Sequence, residues 1–220
     1  MKQQTPPTPA VQRLSLYLRT LEQLAGQGVE KVSSRQLATF LHITAAQVRK
    51  DLGYFGQFGR PGVGYRVGPL TEHLRRILGT DRTCRVVVVG AGDLGRALLR
   101  HRGFRRKGFE LVAAFDISPA KVGRQIGQVT VRHLDDLDEI VRRQDVKLAV
   151  IATPPEAAQD VADRLCRAGI KGILNFAPTT LEIPPSVAVG PVDLAATLEQ
   201  LSFRVRAERA ADAPTEGIAP

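Results

Sequence analysis

VVVVGAGDLGRAL, residues 86–98, decides how this chain is read. Val86 to Val89 are four consecutive strand-forming residues, and an apolar run of this kind suits a strand buried on both faces. Gly90, Gly92 and Gly95 follow with the spacing GxGxxG, and Leu94, Ala97 and Leu98 then mark the start of a helix. In a strand–turn–helix context this spacing predicts a dinucleotide grip. The first glycine makes the turn, the second admits a pyrophosphate against backbone N–H groups, and the third lets helix and strand pack. Ala91, Asp93 and Leu94 complete the loop. Asp93 raises a conflict, because its carboxylate favours the positive end of the helix and would compete there with a phosphate unless it turns outward.

Moving outward, strand-like runs at Arg85–Val89, Glu110–Phe115, Lys147–Ala152 and Gly172–Phe176 alternate with helical stretches, the pattern of a parallel α/β sheet. Asp116 ends the second run 21 residues after Gly95, where an acid would bond adenosine ribose hydroxyls and disfavour a 2′-phosphate. Lys121 and Arg124, just beyond, soften that preference. A nucleotide-free relative of the same fold is the competing reading. A general acid or base would be needed for chemistry at a nicotinamide, and His42, His73 and His133 lie away from the glycine loop in sequence. Only His101 could approach it. No Ser-His-Asp order, Walker lysine or metal-ligand cluster is present, so an enzyme is not expected.

The first third has a different grammar. The 220 residues carry a formal charge of +9, and residues 1–80 hold eleven Lys and Arg against four Asp and Glu, whereas residues 151–220 hold six against nine. Such an excess suits a polyanionic partner, although a solvated basic face has the same composition. Leu14, Tyr17, Leu18, Leu21 and Leu24 recur at steps of three and four, predicting an amphipathic helix that Gly26 and Gly28 end. Ser33 with Gln36, and Thr44 with Gln47, fit capping boxes that open two short helices. Leu37, Phe40 and Leu41 would face inward on one, and Val48, Leu52 and Phe55 on the other.

The tight connection between them predicts helix-turn-helix. Unrolled at about 100° per residue, the second of these helices turns Ala46, Lys50 and Gly53 away from its apolar arc, flanked by Arg49 on one side and Gln47 and Tyr54 on the other. A small, basic, amide-bearing face is what a major-groove reader needs: Lys and Arg can meet phosphate or guanine, and Gln can bond adenine bidentately. Asp51 falls nearer the apolar arc and reads as a structural partner. Gly59 to Val67, GRPGVGYRV, predicts a tight hairpin, which would make the unit a winged helix with Arg60 on its wing; a glycine-rich connector is the alternative. Thr71–Leu78 reads as a helix linking the halves, and residues 79–83 as the boundary.

The stretches AAQVRKDLGYFGQFGRPGVGY, GAGDLGRAL, AAFDISPAKVG, ATPPEAAQDVADRL and GIKGILNFAP resemble one family closely, from about Val11 to Arg206. It is the Rex family, bacterial redox-sensing transcriptional repressors. The resemblance implies a homodimer that binds double-stranded palindromic operator DNA when NAD+ prevails and releases it when NADH fills the Rossmann site. It places Gln47, Arg49, Lys50 and Tyr54 on the recognition helix and Arg60 on the wing, with Ser34, Arg35 and Ala46 on the same DNA face. Its cofactor loops correspond to Gly90–Gly95, Asp116, Thr153-Pro154-Pro155 and Asn175-Phe176-Ala177-Pro178, with Lys121 beside Asp116 and Asp193 near the nicotinamide. The helix after Asp193, bearing Leu194, Leu198, Leu201 and Val205, would swap across the dimer. The chain departs from the family at Asp93, where a non-acidic residue is usual, and at His101, where the family has tyrosine.

The expected architecture is therefore α/β, with a winged-helix DNA-binding domain and linker helix over residues 1–80, a Rossmann NAD(H)-binding domain over 81–192, a swapped helix over 193–209 and a disordered tail over 210–220. Two other function classes stand beside the repressor: an NAD-dependent oxidoreductase with an appended basic domain, and a CoA- or nucleotide-binding module, since ATPPEAA and ILNFAP also resemble the CoA-binding domain of acyl-CoA synthetases. No apolar run of about 18 residues is present, and the opening residues lack the apolar core of a secretion signal, so a cytoplasmic protein without a membrane partner is expected. Cys84 and Cys166 form no CxxC pair and read as small buried thiols.

Overall fold

The computed structural model describes residues 6–60 and 63–211, the side chains of 60 and 208–211 excepted. It divides into two compact units, residues 1–83 and 84–220.

In the first unit α1 (Thr8–Gly26) is followed by β1 (Lys31–Val32), α2 (Ser34–Leu41), α3 (Ala45–Gly53), β2 (Gly59–Arg60), β3 (Gly64–Arg66) and α4 (Val67–Ile77). The leucine–tyrosine stripe of α1 is buried throughout, and with Leu37, Val48, Leu52, Leu70 and Leu74 it forms one apolar core. Burying a leucine in such a core contributes about 1.5–3 kcal/mol, so the stripe anchors the unit. His42 turns the chain between α2 and α3 in the left-handed region at φ 53°. The hairpin forms as β2 and β3, antiparallel, and β1 adds a third strand in the order β1-β3-β2.

Two expectations are corrected here. Phe40 is 55% exposed, because α2 has only eight residues and Leu37 and Ala38 make up its buried face. The helix expected at Thr71 begins at Val67, and it sends Val67, Leu70 and Leu74 into the core of this unit, with Arg75 ion-paired to Glu22 of α1 at 2.9 Å.

The second unit contains β4 (Cys84–Val89), α5 (Asp93–Arg100), α6 (Gly103–Arg106), β5 (Phe109–Asp116), β6 (Gln125–Ile126), β7 (Val129–His133), α7 (Leu137–Arg143), β8 (Leu148–Ile151), α8 (Pro155–Ala168), β9 (Gly172–Asn175), β10 (Ala188–Pro191) and α9 (Leu194–Ala211). Seven strands lie in the order β10-β9-β8-β4-β5-β7-β6, all neighbours parallel except the β6–β7 pair. The four valines explain why β4 is central. Val87 and Val89 enter one core with α7 and α8, while Val86 and Val88 enter a second core with Leu99 of α5, as the alternation of side chains along a strand requires.

The chain runs from β4 through β5 to β7 on one side, then returns to β8 and β9 on the other, so the order reverses between β4 and β8. In such sheets the crevice outside the carboxyl ends of the strands at the reversal is where ligands bind. Residues Ala210 and Ala211 of the expected tail belong to α9, and the remainder lies outside the described residues. Cys84 and Cys166 are half-buried rather than buried. Among the described residues no helix is long and apolar enough to cross a membrane.

Candidate functional site

The carboxyl edge of the large sheet collects the expected loops on four neighbouring strands. Gly90 leaves β4 with φ 101°, and a Cβ there would lie 2.6 Å from the Ala152 carbonyl carbon at the end of β8. Only glycine lets the two strand ends close up. A Cβ at Gly95 would overlap the Gly90 carbonyl oxygen, so the absence of a side chain is what seats α5 on the loop. At Gly92, by contrast, a Cβ would meet nothing within 4 Å. That glycine leaves room beside the backbone, where a ligand could lie. No side chain caps the start of α5 at Gly92, which leaves its first N–H groups directed at that space, an anion-binding arrangement.

Asp93 resolves its own conflict. Its side chain is 95% exposed and ion-paired to Arg96, one turn on, so the carboxylate faces away from the amides it would otherwise compete for. The helix buries Gly95 and Leu99, because the close contact at Gly95 sets the inward face and Leu99 lies one turn beyond it. Leu94 is left partly exposed beside the loop.

Asp116, buried at the end of β5, joins the strand end to the loop. Its Oδ2 accepts from the Ala91 N–H at 2.9 Å and from Lys121 Nζ at 2.9 Å, and its Oδ1 accepts from the Ser118 N–H at 2.9 Å. Burial pushes the carboxyl upward, but the bonds from Lys121, Ser118 and Ala91 outweigh it and hold the group below its ordinary value. With about four lone-pair positions on a carboxylate, one remains for a hydroxyl.

On the other side, Thr153 follows β8, and its Oγ1 is buried without a hydrogen-bond partner. Pro154 precedes α8 and Pro155 opens it. Asn175 is buried and spends its amide on its own loop. Its Nδ2 donates to the Ala177 and Thr179 carbonyls at 3.1 and 3.0 Å, and its Oδ1 accepts from the Ala177 N–H at 3.0 Å. It thereby shapes the segment carrying Phe176, whose N–H bonds the Ile151 carbonyl, and the buried Ala177.

His133 stands in register beside Asp116, so it is nearer the loop than its place in the sequence suggests; it turns to Asp135 at 3.1 Å. His101 ends α5 and meets Phe104 edge to face at 5.2 Å. Asp193 precedes α9 and caps it, Oδ1 accepting from the Ala196 N–H at 2.9 Å. It follows β10, three strands from β4 in the sheet order, or about 14 Å at the usual strand spacing. Asp193 thus leaves the sheet next to the β9 loop that carries Asn175, Phe176 and Ala177, rather than at the glycine loop. The helix that it caps leaves Leu194, Leu198, Leu201, Phe203 and Val205 at least half exposed.

In the first unit, α3 presents Ala46, Arg49 and Lys50 exposed, with Gln47 and Tyr54 half-buried at its flanks. Arg49 Nη1 donates to Ser34 Oγ on α2 at 3.1 Å, and beside it burial raises the Tyr65 hydroxyl of β3, with Arg49 acting in the opposite sense. Ser34, Arg49 and the hairpin thus adjoin, and Arg35 is exposed next to Ser34. The side chain of Arg60 on β2 is outside the described residues. The box at Ser33 is complete in both directions. At Thr44 only half forms: Thr44 Oγ1 accepts from the Gln47 N–H, but the Gln47 side chain turns the other way, its Nε2 donating to Asp51 Oδ1 at 2.7 Å.

Asp51 itself is fully buried. Arg13 of α1 grips it with two bonds, Nε to Oδ2 at 2.6 Å and Nη2 to Oδ1 at 2.9 Å, and the Tyr17 hydroxyl donates to Oδ2 at 2.6 Å. Burial again pushes the carboxyl up, and donors from Arg13, Tyr17 and Gln47 bring it below its ordinary value. The Tyr17 hydroxyl is correspondingly raised, by burial first and then by its bond to Asp51. The sequence marked Asp51 as structural but gave no sign of its partners, which lie 34 and 38 residues away.

Comparison with known proteins agrees with this two-part construction. A family model described as "CoA binding domain" matches residues 81–179, and one described as "Putative DNA-binding protein N-terminus" matches residues 7–53. The redox-sensing transcriptional repressor Rex of Carboxydothermus hydrogenoformans is 50% identical over 91% of this chain and 96% of its own length, and that of a Roseiflexus species is 44% identical over 92% of each. Among solved structures, RSP in complex with NAD+ and operator DNA is 36% identical, with a TM-score of 0.89 over 98% of this chain and all of the other. RSP in complex with NADH is likewise 36% identical, with a TM-score of 0.83 over 93% and 96%. A glycine loop at the reversal of a parallel sheet in a chain that also carries a helix-turn-helix, with relatives 44–50% identical over nearly its whole length named as regulators, places the chain in the Rex family of redox-sensing transcriptional repressors.

Proposed function

We propose that this protein represses transcription in the cytoplasm as a homodimer, holding palindromic operator DNA while NAD+ prevails and releasing it when NADH occupies the glycine-loop site. The observation that carries the reading is the likeness, over nearly the whole chain, to RSP bound at once to NAD+ and operator DNA.

The residues suit the nucleotide on their own evidence. Gly92 leaves a space no side chain fills, the amides opening α5 border that space, and the orphaned Thr153 hydroxyl waits at the neighbouring strand end for a polar partner. In this reading Gly90–Gly95 hold the pyrophosphate, Asp116 the adenosine ribose, and Thr153, Pro154, Phe176 and Ala177 line the nicotinamide half, with Asn175 shaping their loop. Asp193, which follows β10 beside β9, stands at the nicotinamide end in this reading.

The dimer reading is supported by α9, whose apolar residues Leu194, Leu198, Leu201 and Val205 are at least half exposed among the described residues. Burying such a stripe against a second copy is the favourable outcome. Two recognition helices must then sit about 34–36 Å apart to enter successive major grooves, so a rotation that changes that spacing ends binding. NADH needs only to favour the rotated arrangement.

The test is a titration of a palindromic duplex with NADH, NAD+, NADPH and no ligand. Release by NADH alone supports the reading. Indifference to duplex DNA, or steady consumption of the nucleotide, overturns it.

A further inference from the structure

The half-formed capping box at Thr44 has a consequence for what the recognition helix can read. A glutamine amide in solution presents its oxygen and its nitrogen interchangeably by rotation of its last torsion. Here the amide nitrogen is bound to a carboxylate oxygen. An ionised carboxylate accepts and never donates, so the flipped amide, oxygen against oxygen, is repelled. The carboxylate cannot move either. It is buried in the core of the unit and pinned by the two-pronged guanidinium of Arg13 and the hydroxyl of Tyr17, a geometry that matches both carboxylate oxygens at once. Among the described residues, the donors to this carboxylate from outside α3 come from α1.

We infer that Asp51 is a specificity-determining residue of the DNA site: anchored by Arg13 and Tyr17, it locks the Gln47 side-chain amide in one orientation, so that the recognition helix presents a fixed acceptor–donor pair to adenine. The locked amide keeps Oε1 as an acceptor and its second Nε2 proton as a donor. Adenine offers the matching pair in the major groove, an N6 amine that donates and an N7 that accepts. Guanine offers two acceptors there and meets the Gln47 oxygen with repulsion. A freely rotating glutamine would adapt to either. Asp51 touches no base and is a positioning residue, acting through Gln47. Because fixing the side chain in the unbound protein costs its rotamer entropy during folding rather than at binding, the lock also serves affinity.

This inference rests on the DNA reading proposed above, and the two fail differently. Full-length protein is used to select from randomised palindromic duplexes, and base preference is measured position by position for wild type, Gln47→Ala, Asp51→Asn and the double variant. Each single variant is expected to lose preference for adenine at the same position, by roughly 5- to 150-fold, the range one bidentate contact supplies. All other positions and NADH affinity stay as in wild type, and the double variant loses no more than either single one. Equal weakening by Asp51→Asn on every sequence, or a change at a position Gln47→Ala leaves alone, overturns the inference.

Should Asp51→Asn fail to fold, the wild type still decides by NMR relaxation of the Gln47 side-chain amide, assigned through its loss in Gln47→Ala. A rigid amide in the DNA-free protein supports the lock, and a mobile one overturns it. Failure of wild type to enrich any palindrome would refute the DNA reading itself.

Discussion

Two glycines three residues apart make opposite predictions, and together they separate folding from nucleotide binding. In Gly95→Ala the new methyl overlaps the Gly90 carbonyl oxygen and lies 3.0 Å from its carbon. Ordinary carbon–carbon contact is about 3.5–4.0 Å, so α5 must lift from the loop by about 0.5–1 Å. Its obstacle is backbone, not a pliable side chain. Overpacking of this kind costs about 1–3 kcal/mol, against about 0.8–1 kcal/mol gained from the better helix propensity of alanine. With backbone as the obstacle the cost lies at the upper end, about 2–3 kcal/mol, so the net loss of about 1–2 kcal/mol should lower the melting temperature of the ligand-free protein by roughly 2–8 °C.

Gly92→Ala differs at every step. Its φ of −73° and ψ of −164° suit any residue, and the methyl meets nothing. Alanine is a poorer N-cap than glycine by about 0.5–1 kcal/mol, which the smaller entropy of the unfolded chain offsets by a similar amount. Melting should stay near wild type. The methyl nevertheless occupies the space a pyrophosphate needs, and losing one charge-assisted bond there should weaken NADH roughly 10- to 150-fold by fluorescence titration. Wild-type affinity in Gly92→Ala would remove the phosphate from this loop, and unchanged melting in Gly95→Ala would sink the packing argument.

Four further outcomes are expected. Lys50→Ala, on the exposed face of α3, should lower operator affinity by about 1–3 kcal/mol with altered preference at one base; a uniform loss across sequences would make it a phosphate contact. Asp116→Ala should narrow the preference for NAD(H) over NADP(H) in the same fluorescence titration. Leu201→Asp should shift sedimentation toward monomers while leaving unit melting intact, because the residue is half exposed within its own chain. Acid should act through Asp51, whose carboxyl the donors Arg13, Tyr17 and Gln47 hold low against the opposing push of burial. A group that binds its proton more weakly folded than unfolded stabilises fully above its unfolded value near pH 4 and loses that contribution as pH falls through the folded value. The first unit should therefore unfold more readily below about pH 4, and Asp51→Asn should flatten that dependence.

The fold was largely legible because its signals are local. Val86–Val89 with the glycine spacing placed β4, and in a parallel sheet the carboxyl ends of neighbouring strands fall on one edge, so Gly90, Asp116, Thr153 and Asn175 had to meet there. What stayed hidden depends on distance or on backbone. β1 has two residues and pairs with β3 through its main chain, leaving no alternation to read. The inward face of α5 is set by a contact at Gly95, which a count of apolar residues does not register. Gln47 satisfied a capping pattern three residues from Thr44, yet a carboxylate one turn further on is a stronger acceptor–donor match for its amide than a neutral backbone group. That carboxylate owes its place to residues 34 and 38 positions away, which no local pattern encodes.

The charges around the glycine loop bear on how the proposed nucleotide site tolerates two acids. Asp93 would cancel part of the helix field if its carboxylate faced the first amides. Pairing with Arg96 on the outer surface turns it away and brings a cation to the same turn of α5. Asp116 cannot turn away, since the Ala91 N–H and Lys121 both hold its Oδ2. Its charge is thereby nearly balanced before any ligand arrives, and a 2′-phosphate would meet an ammonium as well as a carboxylate. In the proposed reading, with Asp116 on the adenosine ribose, selection against NADP comes less from net repulsion than from lone pairs. One acceptor position on Asp116 is left to receive a hydroxyl proton, and a 2′-phosphate, ionised at neutral pH, has none reliably to give. On that reading Lys121 limits how strongly the site refuses the phosphorylated nucleotide, through its bond to the same Oδ2 that the Ala91 N–H of the loop holds.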